Sequence, residues 1–414
     1  MKKRITALLL ALLCLGGTAA CGQKAPAADT PDSSTEQPLD TQDKTETGGE
    51  TAETPSGEAN GTPVSGEAAA APDPADNTAA AERYVNNLPL ESQVAQMFFA
   101  RCPETDAASL AGQYDIGGYI LFGRDFEGQT PASVTSTIQS YQDAAATPML
   151  IGVDEEGGTV VRISSNPNFR AVKFHSPQAL YNEGGFDLIT SDTKEKDELL
   201  ASIGVNVNFA PVCDVSTNPN DFINARAFGK DASQTSEYVR TVVKQMLADG
   251  TGMVLKHFPG YGNNVDTHTG IAIDERSIDS FRSSDFLPFQ AGIDAGAQSV
   301  LVSHNVVNCM DSELPASLSP AVHEILRDEL GFDGVIMTDD LIMEAITDYT
   351  GGESAAVLAV QAGNDMLVSS DFVTQYNAVL NAVKDGTISE ERIRESAVRV
   401  VRWKMDLGLM EAAH

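Results

Sequence analysis

Short apolar runs alternate with longer amphipathic segments along most of this 414-residue chain, beginning near residue 81. Most of the runs are almost continuously apolar and end at Gly, Asn or Pro, which is typical of strands buried on both faces of a parallel sheet. The predicted strands cover residues 97–101, 118–122, 149–154, 205–212, 253–257, 299–304, 334–339 and 365–369. The predicted helices between and after them include residues 234–248, 280–295, 320–330, 354–362 and 389–406.

Eight strands with helical crossovers predict a fold of the α/β class, a single (β/α)8 TIM barrel that occupies residues 81–414. A stretch of roughly 330 residues is long for one domain, but α/β barrels reach this length. A doubly wound open sheet is the alternative, and it is disfavoured because no segment resembles a dinucleotide-binding loop. In the helix predicted at 389–406, Ser389 is expected to cap the N-terminus.

Residues 1–21 have the pattern of an export signal. A basic start, Met-Lys-Lys-Arg, precedes an apolar core at residues 5–15 that is too short to span a bilayer as a mature helix. Small residues then lead to Cys21, a pattern that resembles a bacterial lipobox. We therefore predict a signal peptide of residues 1–21, lipidation of Cys21 and a protein anchored on the extracytoplasmic face of the cell membrane. The alternative is an ordinary signal peptide cleaved after Ala20, which releases a secreted protein.

The composition of residues 22–80 predicts a disordered acidic tether. Leu39 and Val64 are the only large apolar residues in this stretch, which contains no aromatic residue and is rich in Pro, Thr, Gly, Ala and acidic residues. Such a segment cannot bury enough apolar surface to offset the entropy lost on ordering. We expect it to hold the barrel domain away from the membrane surface.

The net charge of −32 argues against nucleic acid as a partner. After Cys14 and Cys21, the remaining cysteines are Cys102, Cys213 and Cys309, and three widely spaced cysteines make no disulfide framework. We expect them to be buried apolar residues, because they lack metal-ligand spacing. No metal or cofactor is predicted.

Polar residues gather where the predicted strands end. Because all C-terminal strand ends of a (β/α)8 barrel open onto one face, side chains that are distant in sequence are expected to converge there. Charged groups at these positions are costly to bury unless they are paired or used. The strand-end residues are Arg101, Asp154, Glu155, Glu156, Asp214, Lys256, His257, His304, Asp339 and Asp340.

Residues 256–270 (KHFPGYGNNVDTHTG) form the most specific motif in the chain. The segment leaves a strand, turns through Gly and Pro, and contains Asp266 two residues before His268. A carboxylate beside an imidazole can orient it and stabilise its charged form, so that the histidine exchanges a proton near neutral pH.

This motif resembles the signature of glycoside hydrolase family 3, in the β-N-acetylglucosaminidase (β-hexosaminidase) branch, which carries Lys-His-Phe-Pro-Gly-His-Gly followed by Asp-Ser-His or Asp-Thr-His. Other segments resemble the same family in the same order. They are residues 152–158 with Arg162, 204–215, 226–229 and 331–343.

The resemblance implies a catalytic role for three residues. Asp339 is expected to be the nucleophile, forming a covalent glycosyl-enzyme, and His268 the general acid and then base, assisted by Asp266. Asp340 is the competing nucleophile, but strand alternation is expected to turn it to the opposite face.

The resemblance also implies a set of side chains that bind the terminal sugar, with His304 lining the pocket beside them. Paired polar side chains suit a ligand built of hydroxyl groups. The expected sugar-binding residues are Asp154, Arg162, Arg226, Lys256, His257 and His304.

Two positions depart from the family pattern, because Tyr261 and Asn263 replace the usual His and Asp, and the loop is about one residue shorter. The expected function is that of a retaining exo-β-N-acetylglucosaminidase. Its expected partner is a carbohydrate substrate, namely peptidoglycan fragments outside the membrane. Two alternatives stay open: a phosphorylase in which phosphate resolves the intermediate, and an inactive sugar-binding barrel.

Overall fold

A computed structural model of the chain describes residues 74–262, 272–343, 346, 350 and 355–411. The predicted signal peptide, Cys21 and most of the predicted tether lie outside the described residues. Asp266 and His268 also lie outside them, within residues 263–271.

Parallel strands form the centre of the fold. The strands are β1 (Phe98–Arg101), β2 (Gly118–Leu121), β3 (Leu150–Val153), β4 (Val207–Asn208), β5 (Gly252–Met253), β6 (Leu255–Phe258), β7 (Ile273–Asp274), β8 (Ser299–Val302), β9 (Val306–Val307), β10 (Val335–Thr338) and β11 (Leu367–Ser369). Two parallel sheets run in the orders β11-β1-β2-β3-β4-β5 and β10-β8-β6, and β7 pairs with β9.

The two larger sheets join into a closed ring. Strands β5 and β6 are consecutive parts of one strand, separated by Val254, and a parallel bridge between Val212 and Lys256 ties the segment after β4 to β6. A second parallel bridge, between Met337 and Met366, joins β10 to the start of β11. The α/β, TIM-barrel-like fold predicted from the sequence is therefore confirmed, and each predicted strand contains or overlaps an observed one.

The helices surround this ring. They are Pro74–Asn86, Leu90–Gln96, Ala107–Tyr114, Gly123–Phe126, Pro131–Ala144, Pro177–Ser202, Ala232–Asp249, Ile278–Ser283, Phe286–Asp294, Pro320–Glu324, Ala355–Ala362, Phe372–Lys384 and Glu390–Asp406, with a π-helical turn at Ile325–Glu329 and a 3-10 turn at Ala316–Leu318. The Ser389 hydroxyl accepts a hydrogen bond from the backbone N–H of Arg392 at 3.1 Å, so the predicted cap of the last helix is confirmed.

One predicted helix is divided. Residues 280–295 were expected to form a single helix, but the structure has Ile278–Ser283 and Phe286–Asp294, with Ser284 in a non-helical conformation between them. Pro288 lies in the first turn of the second helix, where its missing N–H costs no intrahelical hydrogen bond. The proline therefore favours a new helix start close to this position.

The interior of the barrel is filled by side chains. Phe99 of β1 and Phe209 after β4 meet edge to face, with ring centroids 5.1 Å apart. Gly152 of β3 lies against both rings, since a Cβ there would fall 2.6 Å from the Phe209 ring and 2.7 Å from the Phe99 ring. The barrel is thus a packed core, as is usual for this fold, and a ligand has access only to its ends.

The N-terminal helix corrects the predicted tether boundary. The tether was expected to extend to residue 80, but the helix Pro74–Asn86 begins earlier. Ala80 and Ala81 are buried with Ala397 and Val401 of the last helix in one apolar cluster. Small apolar side chains contribute to a core when a partner helix covers them, which the composition of an isolated segment does not reveal. No helix in the described part of the chain is both long and apolar enough to cross a membrane.

Lys404, on the last helix, is fully buried. The Nζ of Lys404 donates a hydrogen bond to Oε1 of Gln96 at 2.5 Å. Burial lowers the pKa of Lys404 from 10.5 to about 7, because desolvation disfavours the charged ammonium. The folded state therefore binds this proton less tightly than the unfolded chain does.

Replacing Lys404 by Met is expected to change how stability depends on pH. The unfolded chain keeps the Lys404 proton up to about pH 10, whereas the folded chain loses it near pH 7, so this group adds stability as pH rises. Chemical denaturation should show the free energy of unfolding of the parent, minus that of Lys404→Met, rising by several kcal/mol between about pH 7 and pH 10. Replacing the exposed Lys244 by Met is the control. If the free energies of unfolding of the parent and of Lys404→Met changed in parallel with pH, the assigned pKa shift of Lys404 would be contradicted.

Candidate active site

A cavity of about 570 Å3 opens at the end of the barrel where the parallel strands finish. Its walls combine apolar side chains such as Phe122 and Phe222 with many ionisable ones. Six of the ten predicted strand-end residues converge on this cavity, and Arg162 and Arg226 line it as well. The six are Arg101, Asp154, Lys256, His257, Asp339 and Asp340.

Asp154, which follows β3, lies between two cations. Its carboxylate accepts a hydrogen bond from Nζ of Lys256 at 2.7 Å and a longer one from Nη2 of Arg162 at 3.4 Å. Lys256 points from β6 toward the cavity, and little of its side chain is exposed. Asp154 and Lys256 therefore offer an acceptor and a donor side by side to a polar ligand.

Glu156 is a buried carboxylate that links two of the predicted sugar-binding residues. It accepts hydrogen bonds from Nε and Nη2 of Arg226 at 3.0 and 2.8 Å, and Nζ of Lys256 lies 2.7 Å from Oε1. Burial raises the pKa of Glu156, but the charges of Lys256 and Arg226 outweigh burial and lower the pKa to about 2. Glu156 is thus charged at neutral pH and fixes both cations. It was noted in sequence only as a strand-end acid.

Asp214 holds His257 in a defined orientation. Its Oδ2 lies 2.8 Å from Nδ1 of His257, and its Oδ1 accepts the backbone N–H of Tyr261 at 2.7 Å. Nε2 of His257 is 3.1 Å from Nη2 of Arg226, which can only donate. The neutral tautomer with the proton on Nδ1 satisfies both contacts, because Nδ1–H donates to the carboxylate and Nε2 accepts from the guanidinium.

These contacts form one continuous chain of charges and hydrogen bonds, which we call the polar network. It crosses the cavity floor from the end of β3 to the end of β6. Its members are Asp154, Glu156, Arg162, Asp214, Arg226, Lys256 and His257. The sequence pattern indicates that Asp214 is a strand-end acid but predicts no role for it in the site.

Glu155 shapes the loop that carries Arg162. Its buried carboxylate accepts the backbone N–H groups of Arg162 and Ile163, both at 2.8 Å, and the hydroxyl of Ser164 at 2.5 Å. A carboxylate with this many donors fixes the surrounding backbone. Glu155 therefore acts on the site through the position of Arg162 and does not face the cavity.

Asp339 and Asp340 both line the cavity, which corrects the expectation that strand alternation turns Asp340 away. Strand β10 ends at Thr338, so the alternation does not extend to these residues. The Asp340 carboxylate accepts backbone N–H groups of Ser370 at 3.0 Å and Ile342 at 3.2 Å, and it pairs with the Ser370 hydroxyl. Asp340 therefore fastens two loops, and one carboxylate oxygen of Asp339 accepts the backbone N–H of Asp340 at 2.8 Å.

His304 does not line the cavity, contrary to expectation. It is completely buried, with Nδ1 2.7 Å from the Ser317 hydroxyl and Nε2 3.1 Å from the carbonyl oxygen of Asp340. The contact with a carbonyl requires the proton on Nε2. His304 therefore holds the backbone of Asp340 in place through a hydrogen bond to its carbonyl oxygen.

Asp154, Arg162, Arg226, Lys256, His257 and Asp339 thus share one cavity, while their roles toward a sugar stay predictions. Asp266 and His268 lie outside the described residues, so their expected proximity to Asp339 also stays a prediction. Within the described ranges, no three His, Cys, Asp or Glu side chains form a group that could hold a metal ion.

The structure is thus an α/β barrel with polar residues around a cavity at the C-terminal ends of its strands, which is where enzymes of this fold have their active sites. Residues 89–403 match the family model described as the glycosyl hydrolase family 3 N terminal domain. The chain belongs to this family, so the resemblance seen in its motifs is confirmed.

Several relatives share extended similarity with the chain. It is 31% identical over 336 residues to β-hexosaminidase A of Pseudoalteromonas piscicida, covering 74% of this chain and 56% of that protein. It is 37% identical over 270 residues to a β-hexosaminidase of Stenotrophomonas maltophilia, covering 62% of this chain and 77% of that protein. The chain thus spans only about half the length of the first of these relatives.

Solved structures show the same fold. A family 3 β-N-acetylglucosaminidase from Paenibacillus sp. str. FPU-7 has 32% sequence identity and a TM-score of 0.73, over 78% of this chain and 63% of that chain. A β-N-acetylhexosaminidase from Beutenbergia cavernae has 27% identity and a TM-score of 0.66, over 76% of this chain and 98% of that chain.

Replacing Glu156 by Gln is expected to destabilise the protein, because Arg226 and Lys256 lose their shared buried anion. The free energy of unfolding at neutral pH should fall by about 3–5 kcal/mol. The pKa of Glu156 in the folded protein lies below its ordinary value of 4.5. The stabilisation that the charged carboxylate gives the folded state is therefore present above pH 4.5 and is lost as the pH falls toward about 2. The difference from the parent should therefore shrink over this range in denaturant titrations.

Replacing Glu329 by Gln is the matched control for Glu156→Gln. Glu329 forms an ion pair with Arg282 at 2.7 Å, but both side chains are substantially exposed. Exposed ion pairs contribute about 0–1 kcal/mol, so this change should be nearly neutral. Equal effects of the two substitutions would contradict the assigned importance of the buried pair.

Proposed function

We propose that the protein is a retaining exo-β-N-acetylglucosaminidase, which hydrolyses terminal β-linked N-acetylglucosamine through a covalent glycosyl-enzyme. The observation that carries this proposal is the location of Asp339 in the same cavity as the polar network. Membership of the family and the names of its β-hexosaminidase relatives support it. A volume of about 570 Å3 lies in the range of small-molecule sites.

The polar network supplies the contacts that such a sugar requires. Asp154 accepts from hydroxyl groups, whereas Lys256, Arg162 and Arg226 donate to hydroxyl or acetamido oxygens. Because Glu156 fixes Lys256 and Arg226 before a ligand arrives, little ordering entropy is lost on binding. Apolar side chains that line the same cavity, such as Phe209 and Leu301, offer surface to the carbon atoms of the sugar ring.

The proposed reaction has two displacement steps. In the first, a carboxylate oxygen of Asp339 attacks the anomeric carbon, the glycosidic C–O bond breaks, and His268 gives a proton to the leaving oxygen. In the second, His268 takes a proton from water, the water oxygen attacks the same carbon, and the bond to Asp339 breaks. Asp266 stabilises the imidazolium that gives the proton in the first step and is formed again in the second.

We further propose that the substrates are peptidoglycan-type glycans and that the protein acts while anchored through a lipid on Cys21. The basic start, short apolar core and small residues before Cys21 support export with lipidation. The acidic, Pro- and Thr-rich composition between Cys21 and the first helix supports a tether that carries the barrel away from the membrane.

Replacing Asp339 by Asn tests the assignment of the nucleophile. The amide is too weak a nucleophile to form the glycosyl-enzyme, so release of 4-nitrophenol from its β-N-acetylglucosaminide should fall by about 10³-fold or more. Asp340→Asn is the matched comparison and should lose much less, because an amide oxygen still accepts from a loop N–H. A folded Asp339→Asn variant with an unchanged rate would refute the assignment.

The same assay separates hydrolysis from phosphorolysis. For a hydrolase, added phosphate should not accelerate turnover, and the product should be free N-acetylglucosamine. Acceleration by phosphate together with formation of the sugar 1-phosphate would overturn the hydrolase proposal.

Replacing Cys21 by Ser tests the anchor, because lipid transfer requires the thiol. In a bacterial host that lipidates exported proteins, immunoblots should show the variant moving from the membrane fraction to the medium. Cys14→Ser, within the apolar core of the predicted signal, is the control and should stay with the membrane. Retention of Cys21→Ser in the membrane fraction would contradict lipid anchoring.

A further inference from the structure

Phe222 is an exposed aromatic residue in the wall of the cavity. It lines the cavity, and 36% of its surface is exposed. In the described part of the chain, it is the one aromatic residue among the exposed large apolar side chains. A single exposed apolar side chain is ordinary on a protein surface, so exposure alone assigns no role. The role of Phe222 follows from how firmly its ring is held and from the side of the cavity on which it lies.

The residues on both sides of Phe222 are fixed. Before it, the carboxylate of Asp221 accepts the hydroxyl of Ser216 at 2.8 Å. After it, Ile223 is almost completely buried, and its carbonyl oxygen accepts the backbone N–H of Arg226 at 2.9 Å. Because these neighbours fix the backbone of Phe222, its ring loses little conformational freedom when a ligand packs against it.

The ring of Phe222 packs against a buried tyrosine. Its centroid lies 5.8 Å from that of the Tyr261 ring, and the two ring planes meet at 74°. Tyr261 packs in the same edge-to-face manner against His257, with centroids 5.1 Å apart. One side of the Phe222 ring is therefore held by the wall, and its exposed part is open to a ligand in the cavity.

Phe122 lines the same cavity but is arranged differently. The guanidinium carbon atoms of Arg101 and Arg162 lie 4.7 and 5.5 Å from the centre of its ring. A sugar ring could stack on Phe122 only by displacing these cations, which the ring attracts. Of the two phenylalanines, Phe222 is therefore the one whose ring a ligand can reach.

Phe222 and Asp339 lie on well-separated parts of the barrel rim. Phe222 follows β4 and Asp339 follows β10, and the ring of strands places β5 with β6, and then β8, between them. In the proposed first displacement, Asp339 attacks the anomeric carbon from one side and the leaving group departs from the opposite side. The leaving group is therefore directed away from β10, toward the part of the rim that carries Phe222.

A sugar ring in the leaving group matches this aromatic surface. The faces of a pyranose carry C–H groups, whereas its hydroxyl groups point outward from the edge of the ring. The C–H groups pack against the electron-rich face of an aromatic ring, and the contact also removes apolar surface from water. A small alcohol such as methanol has no such face and gains little from the contact.

We propose that Phe222 is a specificity-determining residue that binds the second sugar ring of a glycan, the ring that becomes the leaving group. This inference rests on the proposed function and adds to it a preference for a pyranose over a small alcohol as the leaving group. Phe222 takes no part in the hydrogen bonds of the polar network. Loss of its ring therefore weakens recognition of the leaving group and leaves the contacts proposed for the terminal sugar in place.

The test compares two substrates in Phe222→Ala and Phe222→Tyr, with released N-acetylglucosamine measured by chromatography. The β-linked disaccharide of N-acetylglucosamine and methyl β-N-acetylglucosaminide both release an alcohol that requires protonation, but only the disaccharide has a second ring. In Phe222→Ala, kcat/KM for the disaccharide should fall by about 10-fold, while kcat/KM for the methyl glycoside should stay within about twofold of the parent. Because Phe222→Tyr keeps an aromatic ring, its kcat/KM for the disaccharide should stay within about threefold of the parent.

Leu287→Ala is the matched control. Leu287 is an exposed apolar residue on the helix Phe286–Asp294 and is not among the residues that line the cavity. Its loss should leave kcat/KM for both substrates unchanged. An equal fall for the two substrates in Phe222→Ala, which is what a contact with the terminal sugar or a general structural defect produces, would overturn the proposal. So would no fall for either substrate, or a fall in Phe222→Tyr as large as that in Phe222→Ala.

The parent protein distinguishes failure of this inference from failure of the proposed function. If the parent releases N-acetylglucosamine from both substrates and Phe222→Ala treats them as the parent does, the role of Phe222 is overturned while the proposed function stands. If the parent releases N-acetylglucosamine from neither substrate, the proposed function is wrong, and the inference falls with it.

Discussion

The site depends on the buried ion pairs that Glu156 forms with Arg226 and Lys256 at the C-terminal end of the barrel. Glu156 lies in the interior between Arg226 and Lys256, and its pKa is lowered because these two cations outweigh the cost of its burial. Each partner would be strongly destabilising if left alone, so the three groups are mutually dependent. Their fixed geometry sets where Asp154 and His257 can meet a ligand. The proposed sugar contacts and the stability of the fold therefore depend on the same interactions.

The packing of the barrel explains why these ion pairs lie at the strand ends. Large side chains such as Phe99 and Phe209 fill the interior, so a ligand is confined to the rim. Strands that are far apart in sequence bring Asp154, Lys256 and Asp339 to that rim. Buried carboxylates behind the rim, such as Glu155 and Asp214, hold its loops and side chains in place.

Much of this architecture could be predicted from apolar runs and their polar ends, because buried parallel strands leave a strong pattern. Distinguishing residues that face a ligand from those that support them was harder. His304 and Glu156 were both strand-end residues, yet their positions depend on partners such as Ser317 and Arg226, which are distant in sequence. The helix Pro74–Asn86 was missed for the same reason, since its alanines become a core only beside the last helix.

The proposed mechanism requires one sugar to contact the polar network, Asp339 and His268 together. A crystal structure of the protein with N-acetylglucosamine bound shows whether one sugar does so. We expect sugar hydroxyl groups within hydrogen-bond distance of Asp154 and Lys256, the anomeric carbon facing Asp339, and the His268 imidazole on the leaving-group side of that carbon. A sugar bound elsewhere, or Asp339 and His268 on opposite rims of the cavity, would refute the mechanism.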